Sequence, residues 1–232
     1  MNPANWFYDI LGLVFPNLCA ACEQPLVRGE NVICMSCGFK LPQTDFHLFE
    51  DNPVSRIFWG RVDLHAATSF LYFNKGGKVQ HLIHELKYKG NKEVGIYLGQ
   101  TLGRALKSKG LFQTVEVVIP VPLHPKKQQL RGYNQSEQIT MGLAETMHVY
   151  HSVNNLFRNT FTETQTKKSR YNRWQNVSGK FSVRYPNKLQ GKHLLLVDDV
   201  LTTGATLEAC AQELAKISGV KISVATLAYA QA

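Results

Sequence analysis

The chain has 232 residues, 44% hydrophobic and 19% charged, a balance that excludes a disordered protein and gives one or two globular domains. Lys and Arg outnumber Asp and Glu by 26 to 17, and the net charge of +9 favours polyanions, either nucleic acid or phosphorylated small molecules. The longest clean apolar run, residues 194–197, is far too short to span a bilayer, so no membrane insertion is expected.

The N-terminus is apolar (Trp6, Phe7, Ile10, Leu11) but Asp9 interrupts it. No basic stretch precedes it and no small-residue cleavage site follows, so a signal peptide is not expected and the default location is cytoplasmic. Four of the five cysteines then fall close together, as Cys19-x2-Cys22 and Cys34-x2-Cys37. In a reducing compartment that spacing indicates metal rather than disulfide. Two such knuckles supply four thiolates, which suits Zn²⁺ and leaves no open position, so the centre reads as structural. An iron–sulfur centre and plain buried thiols are the alternatives. This segment is taken as residues 1–45. The turn-rich stretch that follows (Pro42, Asp45, Asp51, Asn52, Pro53) places a linker at 46–60, and the main domain at 61–232.

Within the main domain, residues 62–73 read as a strand or hairpin arm. Residues 79–86 form a short basic helix with Leu82, Ile83 and Leu86 at helical spacing, and 92–109 a longer one with Val94, Leu98, Leu102 and Leu106 on its apolar side. Residues 115–121 are a buried strand, 136–147 a helix, 153–157 a strand, 193–197 a strand, 206–217 a helix and 220–229 a final strand. Strands alternating with helices imply an α/β fold with a mostly parallel sheet covered on both faces. Cys210 stands alone on a helix and reads as core. His81 and His84 read as surface or packing residues.

The strongest chemistry lies where the strand at 193–197 runs into Asp198 and Asp199, then Thr202, Thr203, Gly204, Ala205 and Thr206, then a helix. Unpaired N–H groups and the positive dipole end at such a helix start favour a phosphate. Gly204 permits close backbone approach, and the threonine hydroxyls add donors. Two carboxylates beside a phosphate cradle suit sugar hydroxyls, or a Mg²⁺ shared with the ligand. A phosphorylated ribose satisfies both halves. A plain helix cap would account for one acid and one threonine, not for two acids and three threonines.

This run resembles the phosphoribosyl pyrophosphate (PRPP) motif of type I phosphoribosyltransferases. With Pro120-Val121-Pro122-Leu123-His124, Arg131-Gly132-Tyr133-Asn134-Gln135, Thr164-Gln165-Thr166 and the four-cysteine front, the chain resembles the ComF/GntX family over nearly its whole length. The resemblance implies a Rossmann-like type I phosphoribosyltransferase fold behind a small zinc ribbon. Asp198 and Asp199 would face the ribose hydroxyls, and the 202–206 loop would hold the 5′-phosphate. Pro122, Leu123, His124 and Arg131 would belong to a pyrophosphate loop. The basic stretch with Lys167, Lys168, Arg170 and Arg173 would form a lid. Mg²⁺ would accompany PRPP. The family pattern has a basic residue two before Arg131, where this chain has Gln129. ComF-like proteins are linked to DNA uptake in natural transformation, and a transfer reaction is not a secure family trait.

The positive surplus concentrates at residues 75–109, 120–135 and 158–173, with Tyr88, Tyr133, Phe161, Tyr171 and Trp174 in or beside them. Two readings compete. One is an enzyme that binds PRPP or a ribose 5-phosphate-like ligand and transfers the phosphoribosyl group. The other is a module for single-stranded DNA, or for proteins of DNA uptake and recombination, without turnover. The acid pair favours a retained sugar-phosphate pocket, because carboxylates repel a phosphate backbone.

Overall fold

The computed structural model describes residues 16–108, 110–159 and 180–230. Five strands form the central sheet: β1 (Ala66–Phe73), β2 (Val117–Pro120), β3 (Tyr150–His151), β6 (His193–Leu201) and β7 (Lys221–Ala230). Their spatial order is β1-β7-β6-β2-β3, and every pairing is parallel. A separate antiparallel pair joins β4 (Leu156–Arg158) to β5 (Phe181–Val183). The helices are α1 (Met35–Phe39), α2 (Pro53–Phe58), α3 (Lys78–Tyr88), α4 (Lys92–Ser108), α5 (Pro125–Arg131), α6 (Gln135–Met147) and α7 (Ala205–Leu214).

The sheet is apolar on both faces because both are covered. Successive residues of β6 alternate between two cores: Leu195 and Val197 join Leu82, Leu98 and Ile139, whereas Leu194 and Leu196 join Phe58, Leu207 and Leu214. Helices α3, α4 and α6 therefore lie on one face, with α2 and α7 on the other. Helices α4 and α6 pack backbone to backbone. A Cβ on Gly99 would stand 2.1 Å from the Ile139 carbonyl oxygen, and one on Gly142 would stand 2.1 Å from that of Ile96.

The four-cysteine segment is built onto the first face, since Cys19, Cys37, Ile33 and Leu41 share one core with Leu82 and Leu98. Residues 46–60, whose turn residues read as a linker, contain a 3₁₀ turn (Phe46–Leu48) with Phe46 and His47 buried, and helix α2. Asn52 caps that helix, with Pro53 at its first position, and Val54 and Phe58 sink into the second core. The turn signals there mark a helix start.

Other elements also depart from the sequence reading. Strand β1 begins at Ala66 and pairs in parallel, so it is no hairpin arm. Strand β4 lies three residues beyond the start expected for it, and β3 and β5 had no signal, being only two and three residues long. Helix α5 carries no buried residue, which leaves no apolar period to read; His124 caps it and Pro125 opens it. Helix α7 starts at Ala205 and ends at Leu214, short of Ile217. Strand β6 continues four residues past Val197, because Asp198 and Val200 still pair with Thr226 and Ala228 of β7.

Candidate functional site

Strand order locates the switch point of the sheet. The connection after β2 leads through α6 to β3 on one side, and that after β6 leads through α7 to β7 on the other. The two strands are neighbours. Their carboxyl ends are the place where open α/β sheets take ligands. The loop Pro122, Leu123, His124 leaves from β2, and Asp198, Asp199 and the 202–206 loop leave from β6.

Gly204 caps α7 at φ +75°, a left-handed conformation that glycine adopts freely. The loop turns tightly there, and a Cβ at Gly204 would meet Ile57 and the Phe58 ring at 3.0–3.2 Å. Helix α2 thus forms the floor of the loop. Thr202, Thr203, Ala205 and Thr206 are exposed while Gly204 is buried, so the hydroxyls and the free N–H groups of the helix start face outward. Asp198, Val200, Leu201 and Leu207 line the same small hollow as residues 202–206. Arg61 fastens the loop from behind: its guanidinium donates to the Thr203 carbonyl oxygen at 3.1 Å and pairs with Glu208.

The two acids are held differently. Asp198 Oδ1 accepts from Ser136 Oγ at 2.9 Å and from the Asp199 backbone N–H at 2.9 Å. Burial, and then the Asp199 charge, push its carboxyl up from the usual range to about 7. Asp199 is paired with Lys87, whose Nζ lies 2.9 Å from Oδ1. Ser136 is set by Asn134, which caps α6 through the Ser136 N–H and donates to the Val121 carbonyl oxygen at 3.0 Å.

Of the remaining predicted residues, Arg131 is linked to this centre and the others lie elsewhere or outside the described residues. His124 Nδ1 accepts from the Lys126 N–H at 3.2 Å, which makes it the cap of α5. Arg131 donates to Gln135 Oε1 at 2.7 Å, and its guanidinium sits 5.3 Å from the exposed Tyr88 ring. Lys87, Tyr88, Arg131, Gln135 and Ser136 thereby close a ring of contacts from Asp199 back to Asp198. Lys167, Lys168, Arg170 and Arg173 lie outside the described residues. Lys87, Ser136 and Arg61 escaped the sequence reading, since each reaches the site from a different element. Cys210 is fully buried, and burial raises its thiol well above the usual value. His81 pairs with Glu23 across to the cysteine segment at 3.4 Å, and His84 packs against Tyr88.

The Sγ atoms of Cys19, Cys22, Cys34 and Cys37 all lie within 4.8 Å of one another. Cys22 and Cys34 are 3.8 Å apart at sulfur. A tetrahedral zinc with bonds of about 2.3 Å would set its sulfurs about 3.8 Å apart. Backbone N–H groups of Cys34 and Cys37 point at the sulfurs of Cys19 (3.2 Å) and Cys34 (3.4 Å), an arrangement that stabilises thiolates. The four cysteines are positioned to bind a metal ion. Among the described residues no helix is long and apolar enough to cross a membrane.

Residues 149–232 match the family model of the phosphoribosyl transferase domain. The chain is 28% identical to DNA utilization protein YhgH of Escherichia coli (strain K12), over 91% of this chain and 96% of that protein. It is 32% identical to Competence protein F of Haemophilus influenzae, over 64% of this chain and 67% of that one. Among solved structures, the glutamine PRPP amidotransferase from B. subtilis aligns with a TM-score of 0.43 and 21% identity, over 61% of this chain and 30% of that chain. With a parallel α/β fold that carries a phosphoribosyl transferase domain behind a four-cysteine segment, this chain belongs to the ComF family.

Proposed function

We propose that this protein binds PRPP, or a related ribose 5-phosphate ligand, in the crevice at β6, and that it works in the cytoplasm in the handling of DNA taken up for use or recombination. The observation that carries this reading is the acid pair Asp198–Asp199 set beside an exposed threonine loop at the start of α7. The N–H groups and hydroxyls of residues 202–206 hold the 5′-phosphate. The acids accept the ribose hydroxyls. The turn with Pro122, Leu123 and His124, with Arg131 at the end of α5, faces the pyrophosphate, and Lys167, Lys168, Arg170 and Arg173 supply further cations. Mg²⁺ bound to the pyrophosphate would neutralise its charge. If transfer occurs, an acceptor bonds to the anomeric carbon as the bond to pyrophosphate breaks, and pyrophosphate leaves with the electron pair. The residues here position the ligand and stabilise charge, and none serves as a covalent nucleophile. Zinc on Cys19, Cys22, Cys34 and Cys37 is structural. The names of the relatives above support the DNA context.

Calorimetric titration of PRPP with Mg²⁺ tests the reading. The expected result is binding in the micromolar range that Asp198→Asn and Asp199→Asn each abolish. Absence of heat with folded, zinc-loaded protein overturns it.

One feature favours a second reading, a single-stranded DNA module without turnover. Tyr88 is 64% exposed, with the Arg131 guanidinium against its ring, a stacking platform within a basic stretch. Fluorescence anisotropy with labelled single strands would show binding that weakens steeply with salt. No binding at low salt eliminates this reading.

A further inference from the structure

Lys87 and Asp199 form the most enclosed ion pair among the described residues. Their side chains are 19% and 13% exposed, whereas every other pair has at least one partner more than a third exposed. The lysine is also fixed on both sides along the chain. Its neighbour Leu86 accepts a hydrogen bond at its carbonyl oxygen from the Tyr133 hydroxyl. Its other neighbour, Tyr88, lies against Arg131. Lys87 is the basic residue of the last turn of α3, so that helix is pinned to the α5–α6 turn at the point where it delivers the ammonium.

Enclosing an ammonium costs desolvation, so the pair is maintained by what it faces. Lys87 bonds to Asp199 and acts electrostatically on the adjacent Asp198. Left alone, two such oxygen donors at a crevice invite a hard divalent cation. Here a fixed monovalent cation already occupies one of them, while Ser136 and the Asp199 N–H occupy Oδ1 of the other.

We propose that Lys87 is a resident counter-ion that closes the Asp198–Asp199 pair to free divalent cations and keeps it for the neutral hydroxyls of a sugar. A divalent cation then enters only on the ligand, at its pyrophosphate end. This deepens the sugar-phosphate reading and rests on it for the identity of the ligand. The closure itself is a property of the free protein.

The test is Mn²⁺ titration, read by electron paramagnetic resonance, of the zinc-loaded full chain without any sugar phosphate. The wild type and Lys87→Arg show no tight Mn²⁺ site. Lys87→Met gains one, at least about tenfold tighter than any wild-type binding, equivalent to about 1.4 kcal/mol of relieved competition. Adding Asp199→Asn to Lys87→Met removes it. A wild-type site that depends on Asp199, or a folded Lys87→Met without a gained site, overturns the inference. Should Lys87→Met not fold, Lys87→Gln takes its place with the same expected gain, and Asp199-dependent Mn²⁺ binding in the wild type refutes closure in either case. PRPP calorimetry on the same samples separates the two ideas. Loss of the sugar-phosphate reading shows there as absent PRPP binding, whatever the Mn²⁺ result.

Discussion

Gly204→Ala probes the floor of the threonine loop, and Gly60→Ala provides its control. Both glycines have a left-handed backbone, φ +75° and φ +71°. An alanine forced there costs roughly 1–2 kcal/mol. The surroundings differ. Nothing lies within 4 Å of a Cβ at Gly60, whereas at Gly204 the Cβ meets Ile57 Cγ2 at 3.0 Å and the Phe58 ring at 3.1 Å. Phe58 is only 2% exposed and packs in the core with Leu207, so its ring has little room to yield. Overpacking of this kind adds about 1–3 kcal/mol. Gly60→Ala should therefore lose about 1–2 kcal/mol and Gly204→Ala about 2–5, each kcal/mol lowering the melting temperature by about 2–4 °C. Urea denaturation of the zinc-loaded chain measures the difference. Phe58→Leu in the Gly204→Ala background should recover part of the excess, and PRPP affinity should follow the loop rather than the total stability. Equal losses in the two glycine variants would refute the claim that α2 sets the loop.

Three further outcomes are expected. Gly99→Ala should cost about 3 kcal/mol or more, since its Cβ would lie 2.1 Å from the Ile139 carbonyl oxygen and backbone cannot yield as a side chain does; Gly103→Ala, at 3.0–3.1 Å, should be milder by denaturant midpoint. Asp198, raised from 3.8 to about 7, favours the folded state fully below its unfolded value and loses that contribution as pH rises through about 7. Asp198→Asn keeps an oxygen for both accepted hydrogen bonds, so it should flatten the stability loss between pH 4 and pH 7 and be the more stable form at pH 8; an unchanged slope in urea midpoints rules this out. Chelation should remove one metal per chain, by elemental analysis, and lower the melting transition of the whole chain, because Cys19 and Cys37 share a core with Leu82 and Leu98. A melt indifferent to chelation would contradict that coupling.

What was legible in the sequence has a physical pattern. The helices α3, α4 and α6 carried apolar residues at helical spacing, and the start of β6 was a β-forming run buried on both faces. The cysteine spacing and the acid–threonine run are contiguous, so their chemistry is written in one place. Helix α5 has no buried residue and gave no period. The start of α2 was visible as Asn52-Pro53, yet the same residues also serve turns, and only the burial of Val54 and Phe58 distinguishes the two. The extension of β6 through the acids depends on its partner β7, which local sequence does not contain.

The site itself divides along the same line. The groups suited to ribose and phosphate lie within residues 198–206, on one strand end and one loop. The groups that pair with them and hold them in place come from far along the chain: Lys87 from α3, Ser136 from α6 and Arg61 from the segment after α2. The parallel sheet accommodates this division. Each strand end supplies a short loop at the switch point, and the side chains that brace it reach in from the covering helices and their flanking segments. Lys87 reads in sequence as one more member of a basic stretch. It acquires a role because α3 ends where the Tyr133 hydroxyl can hold Leu86, and α6 starts where Asn134 can hold Ser136 opposite Asp198. The contiguous motif therefore carries the ligand chemistry proposed above, and the long-range partners determine how rigidly that motif is held.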